Sequence, residues 1–547
     1  MDIHTVKKME KKAVESSQTD FLRLGIAFVF LTMVLWYAFA IDQGAANHAF
    51  LAIAALFGAY MALNIGANDV ANNVGPAVGS KALTMGGAII IAAIFEAGGA
   101  IIAGGDVVST IKKGIIDPAQ FVNTAEFIWA MTGALLAGGL WLNIATKVGA
   151  PVSTTHSIVG GVMGGGIAAA GFSIVSWGTM GKIAASWVIS PVLGAVIAAL
   201  FLYTIKKTIL YKEDRLSAMR KMVPIYVSIM AFAFATYLTL KGLKKVWPSI
   251  MDTANAILPF ALEVTKKPTL MQGLTIGLIA AVITYVIVKP QIARASLKLE
   301  NSVKDANSLF TIPLIFAAAL LSFAHGANDV ANAIGPLAAV ADAVQSSGIS
   351  SKAAIPMWVM LVGAIGISLG LALYGPKLIK TVGSEITELN QIRAYSIAMA
   401  AAITVIIASQ LGLPVSSTHI AIGGIFGVGF LREFLSTTTE QERIEVEEQQ
   451  LQEDKQQKKT LKSEMKELKA KEETTDDEKA RISELKLLIE EEEAKIEVEK
   501  KNLKRAKKAK YVKRSAIMKI VAAWIITVPA AALLSAAIFY IIEGIMS

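Results

Sequence analysis

The chain alternates long apolar runs with short polar or charged stretches, and the runs outlast what a soluble core requires. Phe21 to Ile41, Ile183 to Ile205, Gln272 to Val288 and Ile517 to Ile542 are each long enough for an α-helix to cross ~30 Å of hydrocarbon, which takes about 20 residues. Such runs recur at about ten to twelve places. The stretches near 66–80, 153–171, 326–341 and 416–431 are instead Gly-rich and polar, which predicts broken or re-entrant helices rather than simple spans. Before Phe21 stand Lys7, Lys8, Lys11 and Lys12. The run that follows them is too long for a signal peptide and has no cleavage signature, so it reads as a retained anchor.

One region breaks the pattern. From Glu433 to Arg514 the chain is dense in Glu and Lys and contains neither Gly nor Pro. Ile444, Leu451, Leu461, Met465 and Leu468, then Ile482, Leu485, Ile489, Ile496 and Leu503, give it heptad-like apolar positions. Thr475 to Glu478 has the form of a capping box between the two sets. A soluble, coiled-coil-like helical hairpin is expected, with a single charged helix or a disordered loop as the other readings.

The apolar segments carry an internal repeat. G-A-N-D-V-A-N-N-V-G-P at Gly66 returns as G-A-N-D-V-A-N-A-I-G-P at Gly326, and P-V-S-T-T-H at Pro151 returns as P-V-S-S-T-H at Pro414. The two motifs lie 85 positions apart in the first copy and 88 in the second. Lys182, Trp187 and Pro191 are echoed by Lys519, Trp524 and Pro529. The step from histidine to tryptophan grows from 31 positions to 105, so the charged region interrupts the end of the second copy.

Basic residues set orientation. Lys206, Lys207, Lys212, Arg215, Arg220 and Lys221 follow the helix that begins near Lys182, whereas the cluster from Lys500 to Arg514 precedes its counterpart. Equivalent helices then run in opposite directions, the signature of inverted repeats with a site near the midplane. The N-terminus and the insertion fall in the cytoplasm. Five lysines between Lys241 and Lys267, on the side this scheme puts outside, weigh against it. The expected architecture is an all-α integral membrane protein of about 12 membrane segments, two inverted repeats and a soluble insertion. Its parts are an N-terminal segment and first helix (1–48), repeat 1 (49–205), basic loops with linking helices (206–308), repeat 2 (309–432), the insertion (433–514) and a last helix (515–547).

Composition narrows the chemistry. Of 547 residues 54% are hydrophobic, and cysteine is absent, which excludes disulfides, thiolate metal sites and cysteine nucleophiles. The net charge of +9 belongs to basic loops and gives no reason to expect nucleic acid.

Ionisable groups inside apolar segments cost at least about 2.5 kcal/mol each and default to function. Asp69 stands among Asn68, Asn72 and Asn73, and Asp329 beside Asn328 and Asn332. A carboxylate with amide carbonyls is a hard-oxygen set suited to sodium or a proton; the alternative makes both acids helix caps. Ser153, Thr154 and Thr155, and Ser416, Ser417 and Thr418, follow Pro151 and Pro414. Each triplet reads as the first turn of a helix, whose free N–H groups and dipole suit an oxyanion. Glu96 is a further intramembrane acid with no obvious counterpart. His156, His325, His419, Thr110 and Thr381 complete the polar candidates, the histidines for hydrogen bonding or proton transfer.

The doubled G-A-N-D-V-A-N with the doubled P-V-S-[ST]-T-H resembles the inorganic phosphate transporter (PiT) family of sodium- or proton-coupled symporters. The similarity covers roughly residues 45–205 and 305–431 and the last helix. It implies phosphate uptake with cations, an inverted-repeat fold with re-entrant hairpins, and roles for Asp69, Asp329, Ser153, Thr154, Ser416, Ser417 and Glu96. Family members often carry a large soluble loop between the halves; here it lies within the second. The expected function is phosphate import by symport with sodium, with sodium at Asp69 and Asp329, alternating access between the repeats and no other cofactor. A proton-coupled carrier or a sulfate permease on the same fold is the alternative. Duplicated Ser-Thr-His starts serve neither an aspartyl protease nor a serine hydrolase, so no enzyme is expected. Oligomeric state stays open, a homodimer included.

Overall fold

The computed structural model describes residues 3–41, 47–147, 152–244, 246–257, 259, 263–346, 355–385, 389–469, 476–508 and 514–546. Among the described residues the chain is helical throughout, with no named strand. In the first half run α1 (Ile3–Ala40), α2 (His48–Asn68), α3 (Val70–Gly79), α4 (Met85–Ala103), α5 (Gly105–Lys113), α6 (Thr124–Lys147), α7 (Thr154–Ala170) and α8 (Trp177–Ile205). The linking region holds α9 (Arg215–Tyr237), α10 (Trp247–Ile257), α11 (Leu270–Ser296) and α12 (Val303–Ser308). The second half has α13 (Thr311–Gln345), α14 (Met357–Glu385), α15 (Gln391–Gln410), α16 (Ser417–Lys469), α17 (Asp476–Lys508) and α18 (Arg514–Met546).

Among the described residues, twelve helical segments are long and apolar enough to cross a membrane. They hide little of their apolar surface where they face outward: Phe21 is 75% and Trp36 73% exposed, while Ala27, Phe30, Val34 and Ala38 on the other face of α1 are buried. In water that surface would drive aggregation; against lipid it is the solvated face. Helices also meet where side chains vanish. A Cβ on Gly66 would stand 1.9 Å from the Ile367 carbonyl oxygen, and one on Gly370 2.1 Å from that of Leu63. These glycines let the backbones of α2 and α14 touch.

The same contact recurs with the halves exchanged. Gly326 lies against the Glu96 carbonyl and Gly99 against that of Phe323, joining α13 to α4. Further along, Gly160 and Gly164 of α7 meet Val528 and Ala532 of α18, just as Gly423 and Gly427 of α16 meet Pro191 and Ala195 of α8. Each repeat closes on the other repeat's helices, in matching register. Between α5 and α13, Lys112 and Asp342 form a buried ion pair of 2.9 Å.

The chain divides into two compact units, Met1–Val428 with Arg514–Ser547, and Gly429–Lys513. Within the second unit, Leu451, Leu485, Ile489 and Ile496 are buried, and ion pairs join Lys458 and Lys462 to Glu493 and Glu464 to Arg481. Pair positions that rise on one helix fall on the other, so the two run antiparallel as a hairpin. Thr475 of the expected capping box lies outside the described residues.

Candidate functional site

The two motif acids converge in the membrane unit, but the helix break expected at both motifs is present at the first acid only. In the first copy the helix is interrupted for one residue, Asp69, between α2 and α3. In the second, α13 continues unbroken through Asp329. Pro76 and Pro336 follow Asn72 and Asn332 by four positions, so neither asparagine carbonyl receives the N–H that a helix would supply. Both acids are buried. Asp69, Asp329 and His325 bring one ligand atom each to within 4.8 Å of one another.

The helix starts arrive by a local device. α15 ends in paired Leu413 N–H to Ala408 and Gly412 N–H to Ser409 hydrogen bonds of 3.0 and 3.1 Å, with Gly412 at φ 67°. Such an end suits glycine because its left-handed backbone carries no Cβ. Four positions after Leu413, at Ser417, α16 begins. Ser416 accepts the His419 N–H at 3.3 Å and Ser153 the His156 N–H at 3.2 Å. Of the three serines expected at the phosphate site, Ser153 and Ser416 therefore cap their own helices.

The next hydroxyls reach the acids. Thr154 donates to Asp69 at 2.6 Å and Ser417 to Asp329 at 3.4 Å. The links also cross between copies: Asn72 donates to Thr418 at 2.7 Å, and Asn332 to Thr155 at 3.0 Å. Thr418 additionally donates to Asp69 at 3.2 Å. Asn328 bonds Ser409 and the Leu413 carbonyl at 3.0 and 3.1 Å and accepts the Val415 N–H, pinning the turn that leads into α16. The result is one buried centre of carboxylates, amides and hydroxyls at the first turns of α7 and α16.

Glu96 is drawn in as well. Its Oε2 lies 2.7 Å from His325 Nδ1, and Asn73 donates to Oε1 at 2.8 Å. His325 Nε2 stands 3.0 Å from Asp329, an ion-pair contact off the axis of an aligned hydrogen bond. The rings of His156 and His419 lie 5.1 Å apart, with Trp187 edge-on to His156. Other candidates stand apart. Asn68 turns to the Asn64 carbonyl at 3.1 Å, and Thr110 donates to that of Gly412 at 2.7 Å, so Thr110 supports the turn before α16. The side chain of Thr381, like Pro151, lies outside the described residues. Sequence reasoning passed over Tyr60, Asn64 and Asn143, where Asn143 donates to the Tyr60 hydroxyl and to Asn64. Their spacing of four on α2 could have marked a polar stripe.

A family model described as the phosphate transporter family matches residues 65–535. The chain belongs to that family. The family is one of transporters, not of enzymes, and with twelve apolar spans among its described residues the chain is a multi-pass membrane protein. A relative in Helicobacter pylori strain J99, described as "Putative phosphate permease", is 48% identical over 552 residues and covers 98% of each chain. One with the same description in Haemophilus influenzae is 40% identical over 382 residues, 70% of this chain and 87% of its own. A solved structure described as "The sodium-dependent phosphate transporter" aligns with a TM-score of 0.69 and 30% identity, over 90% of this chain and 99% of that one.

Proposed function

We propose that the protein imports inorganic phosphate by symport with sodium, that sodium binds at Asp69 and Asp329, and that phosphate lies at the first turns of α7 and α16. The observation that carries this reading is the meeting of two buried acids with two helix N-termini in one centre. Two carboxylates whose ligand atoms lie within 4.8 Å repel by about 3 kcal/mol at an effective dielectric of ~20. A bound cation removes that repulsion. The oxygens of Thr154 and Thr418 beside Asp69 suit sodium better than a soft metal. The helix starts, led by Ser153 and Ser416, offer donors to a tetrahedral anion, which the acids alone would repel. Binding of one ligand thus favours the other, as symport requires.

Alternating access on this reading moves groups drawn from both repeats. Rocking one sequence half against the other would separate the glycine contacts of α2 with α14 and of α13 with α4. The repeats are taken as inverted, with the N-terminus and the hairpin in the cytoplasm. Because the chain has no cysteine, a single cysteine placed in the hairpin should react with an impermeant maleimide only from the inner face; labelling from outside reverses the topology.

The test of function is uptake of radiolabelled phosphate into proteoliposomes under a sodium gradient, a proton gradient or neither, with excess sulfate. Sodium-driven accumulation resistant to sulfate is the expected result. Proton-driven accumulation would change the coupling ion, inhibition by sulfate accompanied by sulfate uptake would change the substrate, and no accumulation would end the carrier reading.

A further inference from the structure

The exchange of contacts between the halves assigns each residue around the centre its structural counterpart. His325 and Ile65 both precede Gly-Ala-Asn-Asp. Asn73 occupies in the first motif the place of Ala333 in the second. Glu96 and Ile367 are the residues whose carbonyls meet Gly326 and Gly66. Thus the connected set Asn73, Glu96 and His325 has as its image Ala333, Ile367 and Ile65, all apolar. The centre repeats the Asn72–Thr418 link as Asn332–Thr155 and the Thr154–Asp69 link as Ser417–Asp329, but this polar chain is present on one side only.

That chain leads from Asn73 through Glu96 and His325 to Asp329 and is closed to solvent, with Glu96, His325 and Asp329 fully buried. Asp69 instead takes two threonine hydroxyls. Burying an acid and an imidazole where the other copy manages with two isoleucines is unfavourable unless the pair acts on something.

We propose that Asn73, Glu96 and His325 are positioning residues for Asp329, a buried polar chain that fixes the second acid in place where the first acid is held by two threonine hydroxyls. The two motif acids then divide the work. Both acids hold the cation, but Asp69 with its two hydroxyls weighs more in cation affinity, while Asp329, held by the chain, also fixes Ser417 and the start of α16 for the anion.

This rests on the phosphate and cation reading above, and the experiment separates the two. Phosphate binding to the purified full chain is measured by scintillation proximity with radiolabelled phosphate over a sodium titration. Asp69→Asn is expected to raise the sodium needed for half-saturation at least tenfold. Asp329→Asn is expected to weaken phosphate binding at saturating sodium, with a smaller shift in sodium response. Replacing Glu96 and His325 together by Ile reproduces the packing of the first copy and should mimic Asp329→Asn. Combining that pair with Asp329→Asn should add less than twofold, whereas combining it with Asp69→Asn should multiply the two effects. Asn73→Ala, which copies Ala333 and touches Glu96 alone among these acids, should act in the same direction by a few-fold and serves if the double variant does not fold. Additive effects with Asp329→Asn, or equal coupling to both acids, would overturn the proposal while leaving the transport reading intact. Absence of sodium-dependent phosphate binding in the unaltered chain would instead remove the reading beneath it.

Discussion

The two copies of the Asn-Asp motif are nearly identical in sequence yet occupy different surroundings. The first breaks its helix at Asp69 and surrounds the acid with hydroxyls; the second runs straight through Asp329, with an imidazole against the carboxylate. A duplicated motif therefore fixes which atoms are offered. What those atoms contact is decided by helices from elsewhere in the chain, since Glu96 of one repeat contacts His325, one helical turn before the acid of the other.

The largest expected effect tests whether both copies are needed. Asp69→Asn and Asp329→Asn, which keep shape and remove charge, should each reduce concentrative phosphate uptake at least a hundredfold with normal amounts of folded protein in the membrane. Full uptake in either would take that acid out of the mechanism. A sharper contrast comes from the hydroxyls. Hydrogen bonds to charged groups contribute about 1.5–3 kcal/mol, so Thr154→Val, losing a 2.6 Å bond to Asp69, should lower uptake roughly ten- to hundredfold. Ser417→Ala, losing the longer 3.4 Å contact to Asp329, should cost several-fold at most. Equal losses would show that the two sides are used alike.

Packing should be where the copies behave the same. Gly66→Ala and Gly326→Ala each force a Cβ to within about 2 Å of a carbonyl on the facing helix, and overpacking of this kind costs about 1–3 kcal/mol. Both should lower the unfolding temperature of the purified protein by similar amounts. The smallest effect belongs to the hairpin. Lys458 and Lys462 hold the Glu493 carboxyl down at about 2, so its contribution is present above its ordinary range near 4.5 and fades as pH falls toward 2. The group is exposed, and Glu493→Gln should speed hydrogen exchange in α17 slightly without altering phosphate uptake.

Much of this was legible in the sequence because apolar length, Gly-rich interruption and repetition are local signals. The apolar runs predicted about twelve spans, and the doubled motifs pointed to the acids and the helix starts. The heptad positions foretold the hairpin's buried Leu451, Leu485, Ile489 and Ile496. Register between distant helices was not legible. Nothing in the sequence pairs Glu96 with His325 across 229 positions, or shows Ile367 to be the counterpart that Glu96 had seemed to lack. Nor does the pattern tell a capping serine from the neighbouring threonine that turns to Asp69, because that choice depends on one turn of helix geometry.

The glycine faces of the first repeat bear on how the protein is made. A chain emerging from the ribosome exposes Gly66, Gly160 and Gly164 long before α14 and α18, which close over them, have been synthesised. Until then the first repeat lies in the bilayer with its closest-fitting surfaces against lipid. Maturation must therefore wait for the far end of the polypeptide, and a truncation that spares every residue of the first repeat would still leave it without its proper neighbours.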